Sequence, residues 1–232
     1  MNDIELVIFD MAGTTIEDTG QVPEAFTTVL RRHGIEITDE ALRSVRGASK
    51  REAIRYILEQ QSTGGDLDLP SRTDQVFAEF RQCLATIYAD RGIRTIPRAA
   101  ETFARLHQLG VKVALNTGFD RVITELILHA VGWEKDTVDA IVCGDDVSQG
   151  RPAPYLIFHA MEKTGVISVQ RVANVGDTVL DLQAGRNAAV RWNIGVLSGA
   201  HTKEQLERME HTHLLPSVAE LPPLWEQGQN AA

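Results

Sequence analysis

Leu6-Val7-Ile8-Phe9-Asp10-Met11-Ala12-Gly13-Thr14-Thr15 is the stretch from which the fold of this chain can be read. The apolar run over residues 4–9 predicts a buried strand; it stops at an acid, and Gly13-Thr14-Thr15 follows as a turn. The same shape recurs at 111–115 (Val-Lys-Val-Ala-Leu), 139–143 (Asp-Ala-Ile-Val-Cys), 171–175 (Arg-Val-Ala-Asn-Val) and 193–197 (Asn-Ile-Gly-Val-Leu). Between these runs lie helical patterns. One starts near Pro97 and stops at Gly110, with Phe103, Leu106 and Leu109 as its apolar stripe; another runs from near Pro154 to Gly165. Strands alternating with helices predict an α/β fold with right-handed crossovers and a mainly parallel, doubly wound sheet.

Residues 17–92 break that rhythm. They hold several helical patterns and no convincing strand, and Val76, Phe77, Phe80, Leu84, Ile87 and Tyr88 form a broad helical stripe. Ser62-Thr63-Gly64-Gly65-Asp66 reads as a loop between helices. The expected organisation is a Rossmann-like core of residues 1–16 and 93–232 around an α-helical insert of residues 17–92, with a weakly ordered tail from Pro222.

At 232 residues the chain can bury a sizeable core without disulfides or a structural metal. The 23 Lys and Arg against 32 Asp and Glu give a net charge of −9, which argues against nonspecific binding to nucleic acid or anionic lipid. No apolar run is long enough to span a bilayer and no signal peptide is visible. Cys83 and Cys143 lack metal-type spacing and read as free, buried thiols, as in a reducing cytoplasm. The seven histidines show no triad or zinc spacing; His211 and His213 alternate as in an edge strand.

Ligands of open α/β sheets bind outside the carboxyl ends of the strands. Those ends carry Asp10 through Thr15, Asn116-Thr117-Gly118-Phe119, Gly150-Arg151-Pro152 and Gly176-Asp177-Thr178-Val179-Leu180-Asp181. Clustered carboxylates repel unless a cation sits between them, and hard oxygen ligands select Mg²⁺. Asp10 would then serve as ligand and nucleophile, while Thr117, Arg151 and the backbone N–H groups of the Gly13 turn hold phosphoryl oxygens. That is phosphoryl transfer through an aspartyl-phosphate. Asp145 and Asp146 read as solvated loop acids outside the site.

The ordered set Asp-x-x-Gly-Thr at Asp10, strand-end Thr117, basic Arg151 and Gly-Asp-x-x-x-Asp from Gly176 to Asp181 resembles the haloacid dehalogenase-like hydrolases, over nearly the whole chain. The helical insert resembles that family's cap. Ala12 stands where most phosphatases of the family carry an acid for the leaving group. With Gly150-Arg151-Pro152-x-Pro154 and Gly185-Arg186-Asn187-Ala188, it resembles the phosphonatase branch, the phosphonoacetaldehyde hydrolases, whose cap lysine forms a Schiff base with an aldehyde. The resemblance implies Asp10, Ala12, Thr117, Arg151 and Lys50 as catalytic positions. It implies Thr14, Gly118, Arg46 and Gly47 around the phosphate, and Asp10, Ala12, Asp177 and Asp181 around Mg²⁺, with Asp181 acting indirectly or through water. It also implies a small phosphonate or phosphorylated substrate and a homodimer.

Lys50 lies three residues after Gly47. Ser49 and Glu52 form a capping-box pattern that makes Lys50 the first residue of a helix. The helix dipole, Arg46 and Arg51 would each lower its pKa, as an imine-forming amine requires. Gly-x-Ser-Lys/Arg is also the commoner cap motif of sugar-phosphate mutases and phosphatases in this superfamily, in which the basic residue clamps phosphate. A phosphomonoesterase acting on phosphoglycolate or a sugar phosphate is therefore the alternative reading. A binding protein that kept the fold and lost catalysis is a third.

Overall fold

The computed structural model describes residues 3–61, 68–133 and 136–224. Strands β1 (Leu6–Asp10), β2 (Lys112–Asn116), β3 (Ala140–Val142), β4 (Val172–Gly176), β5 (Trp192–Val196) and β6 (His213–Leu215) form one sheet in the order β3-β2-β1-β4-β5-β6. Every pairing is parallel; Phe9 of β1 faces Leu115 on one side and Val175 on the other. All five residues of β1 are buried because helices cover both faces of the sheet. Val7 and Phe9 belong to one core, Leu6 and Ile8 to the other, as the two-residue period of a strand demands.

The core helices are α5 (Ala99–Gln108), α6 (Arg121–Val131), α7 (Tyr155–Thr164), α8 (Val179–Asn187) and α9 (Lys203–Glu207), and α7 is capped by Pro154 and Gly165, the bounds the sequence predicts. The first strand lies between β2 and β4, where the chain switches direction across the sheet. A crevice opens at such a switch point, at the carboxyl ends. Asp10, Asn116 and Gly176 end their strands there.

Between β1 and α5 the described chain is helical: α1 (Gln21–Arg32), α2 (Asp39–Ser44), α3 (Lys50–Gln61) and α4 (Leu69–Arg91). Val22, Phe26, Val29 and Leu30 make one buried stripe on α1 and meet Val76, Phe80 and Leu84 of α4; the Phe26 and Phe80 rings lie 4.5 Å apart. This insert is tied to the core by the ion pair of Arg81 with Asp120, 3.1 Å, where Asp120 also caps α6.

Several expectations change in detail. The loop expected at Ser62–Asp66 lies outside the described residues. Residues 221–224 form a helical turn in which Leu221 and Pro222 are buried, and the rest of the tail expected to be weakly ordered lies outside the described residues. Cys143 is buried but Cys83 only half so; both are free. The β6 edge strand holds His213, whose ring stacks on Trp192, and His211 precedes it. No helix among the described residues is long and apolar enough to cross a membrane.

Candidate active site

A cavity lies between the strand ends and the helical insert. Asp10, Ala12, Lys50, Thr117, Gly118 and Arg151 line it, with Arg46, Gly47 and Asp177 beside them. Its volume is ≈ 40 Å³, where one water needs about 10–15 Å³.

Arg151 organises the floor. Its guanidinium lies 2.8 Å from Asp10 and 2.9 Å from Asp181, and it donates to the Asn116 carbonyl and, at 3.1 Å, to the Gly47 carbonyl. Burial opposes its charge, but Asp181 and Asp10 outweigh that and raise its pKa. Burial pushes the Asp10 carboxyl up to about 6, against the pull of Arg151 and Lys50 and with the push of Asp181. Burial, then the charges of Asp10 and Asp181, hold Asp177 well above the usual carboxylate range. Asp177 is fixed by the Thr14 hydroxyl at 2.9 Å and the Ala200 N–H at 2.7 Å. The Thr117 hydroxyl accepts the Phe119 N–H at 3.1 Å, so its own proton remains to donate.

Two of the expected site residues stand one step back from the cavity, Thr14 against expectation and Asp181 in keeping with an indirect or water-mediated role. Thr14 gives its hydroxyl to Asp177 and is not on the cavity wall. Asp181 is not on it either: its carboxylate closes the α8 capping box with Thr178 and braces Arg151.

Lys50 opens α3, as expected, and is buried. Its Nζ sits 4.9 Å from the Phe119 ring centroid and donates to the Ala48 carbonyl at 3.2 Å. The physical cause of its lowered pKa differs from the one expected. Burial dominates, Asp10 opposes it, and Arg151 adds to it; the charges responsible come from the core rather than from Arg46 and Arg51. The expected Ser49–Glu52 capping box does not form either, because Glu52 reaches across to accept the Gly150 N–H at 2.9 Å.

Loop 47–49 is pressed against the core. The Lys50 N–H donates to the Gly118 carbonyl at 2.9 Å. A Cβ at Gly118 would lie 2.3 Å from the Ala48 oxygen, and one at Gly47, where φ is +86°, 2.4 Å from the Thr178 hydroxyl. Only glycine permits these approaches.

Sequence reasoning missed Asp18, Val22, Phe26, Leu42, Val45 and Phe119 on the wall. Apart from Asp18 they are apolar residues that read as ordinary core. Among the described residues, no group of three or more His, Cys, Asp or Glu side chains forms a metal site by itself. The donor set nonetheless fits Mg²⁺. Asp10 and Asp177 share the cavity, and with Asp181 they make three buried carboxylates against the two cations Arg151 and Lys50. A divalent ion bound by one or two carboxylates would relieve that excess.

The family signature of the haloacid dehalogenase-like hydrolases matches residues 4–189, and the chain belongs to that family of enzymes. A phosphonoacetaldehyde hydrolase of Bacillus cereus (strain AH187) is 33% identical over 205 residues, 85% of this chain and 77% of that protein. Among solved structures, a hydrolase from Pseudomonas syringae superposes with a TM-score of 0.84 at 21% identity, covering 96% of this chain and 98% of the other. A phosphonoacetaldehyde hydrolase-like protein from Oleispira antarctica gives 0.81 at 24% identity, covering 98% and 93%. These two share its fold.

Proposed function

We propose that this hydrolase is a Mg²⁺-dependent phosphonatase that cleaves the C–P bond of phosphonoacetaldehyde or a close relative through an Asp10 aspartyl-phosphate. The observation that carries the reading is a buried lysine of lowered pKa on the same cavity wall as a strand-end aspartate, with Ala12 beside them offering no acid. The amine of Lys50 condenses with the aldehyde, and the carbonyl oxygen leaves as water. The resulting imine, protonated on nitrogen, is the electron sink for C–P cleavage. Asp10 attacks phosphorus, the C–P electron pair moves into an enamine on Lys50, and water later cleaves the acyl phosphate. Arg151 and Thr117 hold the phosphoryl oxygens. An enamine carbon needs no acid poised over an ester oxygen, which suits Ala12. Asp10, Ala12 and Asp177 would hold Mg²⁺, which supplies charge neutralisation for the phosphoryl group when bound.

Phosphate-ester hydrolysis by the same Asp10 is the second reading. The Arg46 Nε, buried beside the cavity without a hydrogen-bond partner among the described residues, favours it as a phosphate clamp. Incubation with phosphonoacetaldehyde and Mg²⁺ should release acetaldehyde and phosphate in equal amounts, and chelation of the metal should stop both. Phosphate released only from esters would favour the second reading.

A further inference from the structure

We infer that Asp18 is a catalytic residue, the carboxylate that moves a proton to and from the substrate carbon next to the Lys50-bound carbonyl carbon. This rests on the imine reading above.

Six ionisable side chains line the cavity: Asp10, Asp18, Arg46, Lys50, Arg151 and Asp177. The arginines do not give up protons. Lys50 is the amine. Asp10 and Asp177 lie on the phosphoryl side, held by Arg151 and by Thr14 and Ala200 respectively. No histidine among the described residues lines the wall. Asp18 is left, and its place suits the task. It lies between β1 and α1, half-buried, and lines the same cavity as Lys50. The Gly20 N–H fixes its Oδ1 at 3.1 Å. Its Oδ2 has no hydrogen-bond partner among the described residues. Its charge reaches Lys50, where it favours the ammonium, and the buried Tyr88 phenol.

The step balances simply. Once the C–P bond has broken, its electron pair lies in the enamine on Lys50. The terminal enamine carbon takes the proton of the Asp18 carboxyl: a C–H bond forms, the O–H bond breaks, and an iminium on Lys50 and a carboxylate on Asp18 remain. A water molecule returns a proton to the half-exposed Asp18, and the hydroxide it leaves adds to the iminium carbon. Hydrolysis of the iminium then frees acetaldehyde and the amine. Run backwards, the Asp18 carboxylate takes a methyl proton from the acetaldehyde iminium. The enzyme should therefore exchange acetaldehyde methyl protons with D₂O.

The experiment compares that exchange, followed by proton NMR, with borohydride trapping of acetaldehyde on Lys50, read by peptide mass spectrometry. The wild-type chain, Asp18→Asn and Asp18→Glu are measured. Asp18→Asn should still give the reduced Lys50 adduct, which shows that fold and amine survive, while exchange slows on the order of 100-fold. Asp18→Glu should restore part of it. Equal exchange in wild type and Asp18→Asn overturns the role of Asp18 and leaves the imine standing. Neither adduct nor exchange in the wild type overturns both, and locates the failure in the imine reading.

Discussion

The Glu52 carboxylate, two residues beyond Lys50 in α3, accepts the backbone N–H of Gly150, the residue immediately before Arg151. One side chain of the insert thus sets the spacing between the buried amine and the guanidinium that holds Asp10. A hydrogen bond to a charged group contributes about 1.5–3 kcal/mol. Glu52→Ala should therefore lower the thermal midpoint by several degrees and, as the insert loosens from the Arg151 loop, lower kcat/KM on the order of 10-fold. Glu52→Gln keeps an acceptor oxygen and should recover most of the loss. Wild-type kinetics in Glu52→Ala would remove the contact from the account.

Arg151 touches Asp10, Asp181, Asn116 and Gly47 at once. Lysine is a point charge without the planar fork, so Arg151→Lys should retain the fold and lose most activity. Arg151→Met leaves two buried carboxylates unpaired and should cost about 3–5 kcal/mol in urea unfolding. Near-normal stability of the methionine variant would contradict the buried network.

Ala12→Asp places an acid beside the nucleophile. It should raise hydrolysis of phosphate esters with poor leaving groups by about 100-fold and leave phosphonate cleavage no faster. Fast ester hydrolysis in the unaltered chain, abolished by the substitution, would mean that Ala12 carries no such meaning.

The pH dependence of Lys50 has a defined sign. Burial disfavours its ammonium and Asp10 favours it. In metal-free protein, the rate of borohydride-trapped acetaldehyde addition should reach its half-maximum below the usual lysine value of about 10.4. Asp10→Asn removes the favourable charge and should move that midpoint lower still. A midpoint at or above 10.4, or an upward move, would show that the amine is not in the environment described.

Much of this was legible in the chain. Asp10, Thr117, Arg151 and Asp177 sit where a parallel sheet must present its strand ends, so local pattern and topology sufficed. Lys50 was legible as a helix start because Gly47 and Ser49 mark the turn before it. The docking of the insert onto the core was not. Phe26 and Leu42 look like helix core until tertiary contact turns them to the cavity, and Glu52 looks like a cap until Gly150 lies within its reach. Thr14 and Asp181 were placed at the correct strand ends, but which oxygen faces ligand and which braces a neighbour is decided by packing over distances that no short motif records.

In the proposed reaction Lys50 forms a covalent bond to an aldehyde substrate while Asp10 takes its phosphoryl group. Borohydride trapping with phosphonoacetaldehyde and Mg²⁺, read by intact-mass and peptide mass spectrometry, tests it most directly. A reduced two-carbon adduct on Lys50, lost in Lys50→Arg and accompanied by phosphate release, is the predicted result. No adduct, with phosphate released instead from phosphate esters and that release retained in Lys50→Arg, would contradict that reaction and make Lys50 a phosphate clamp.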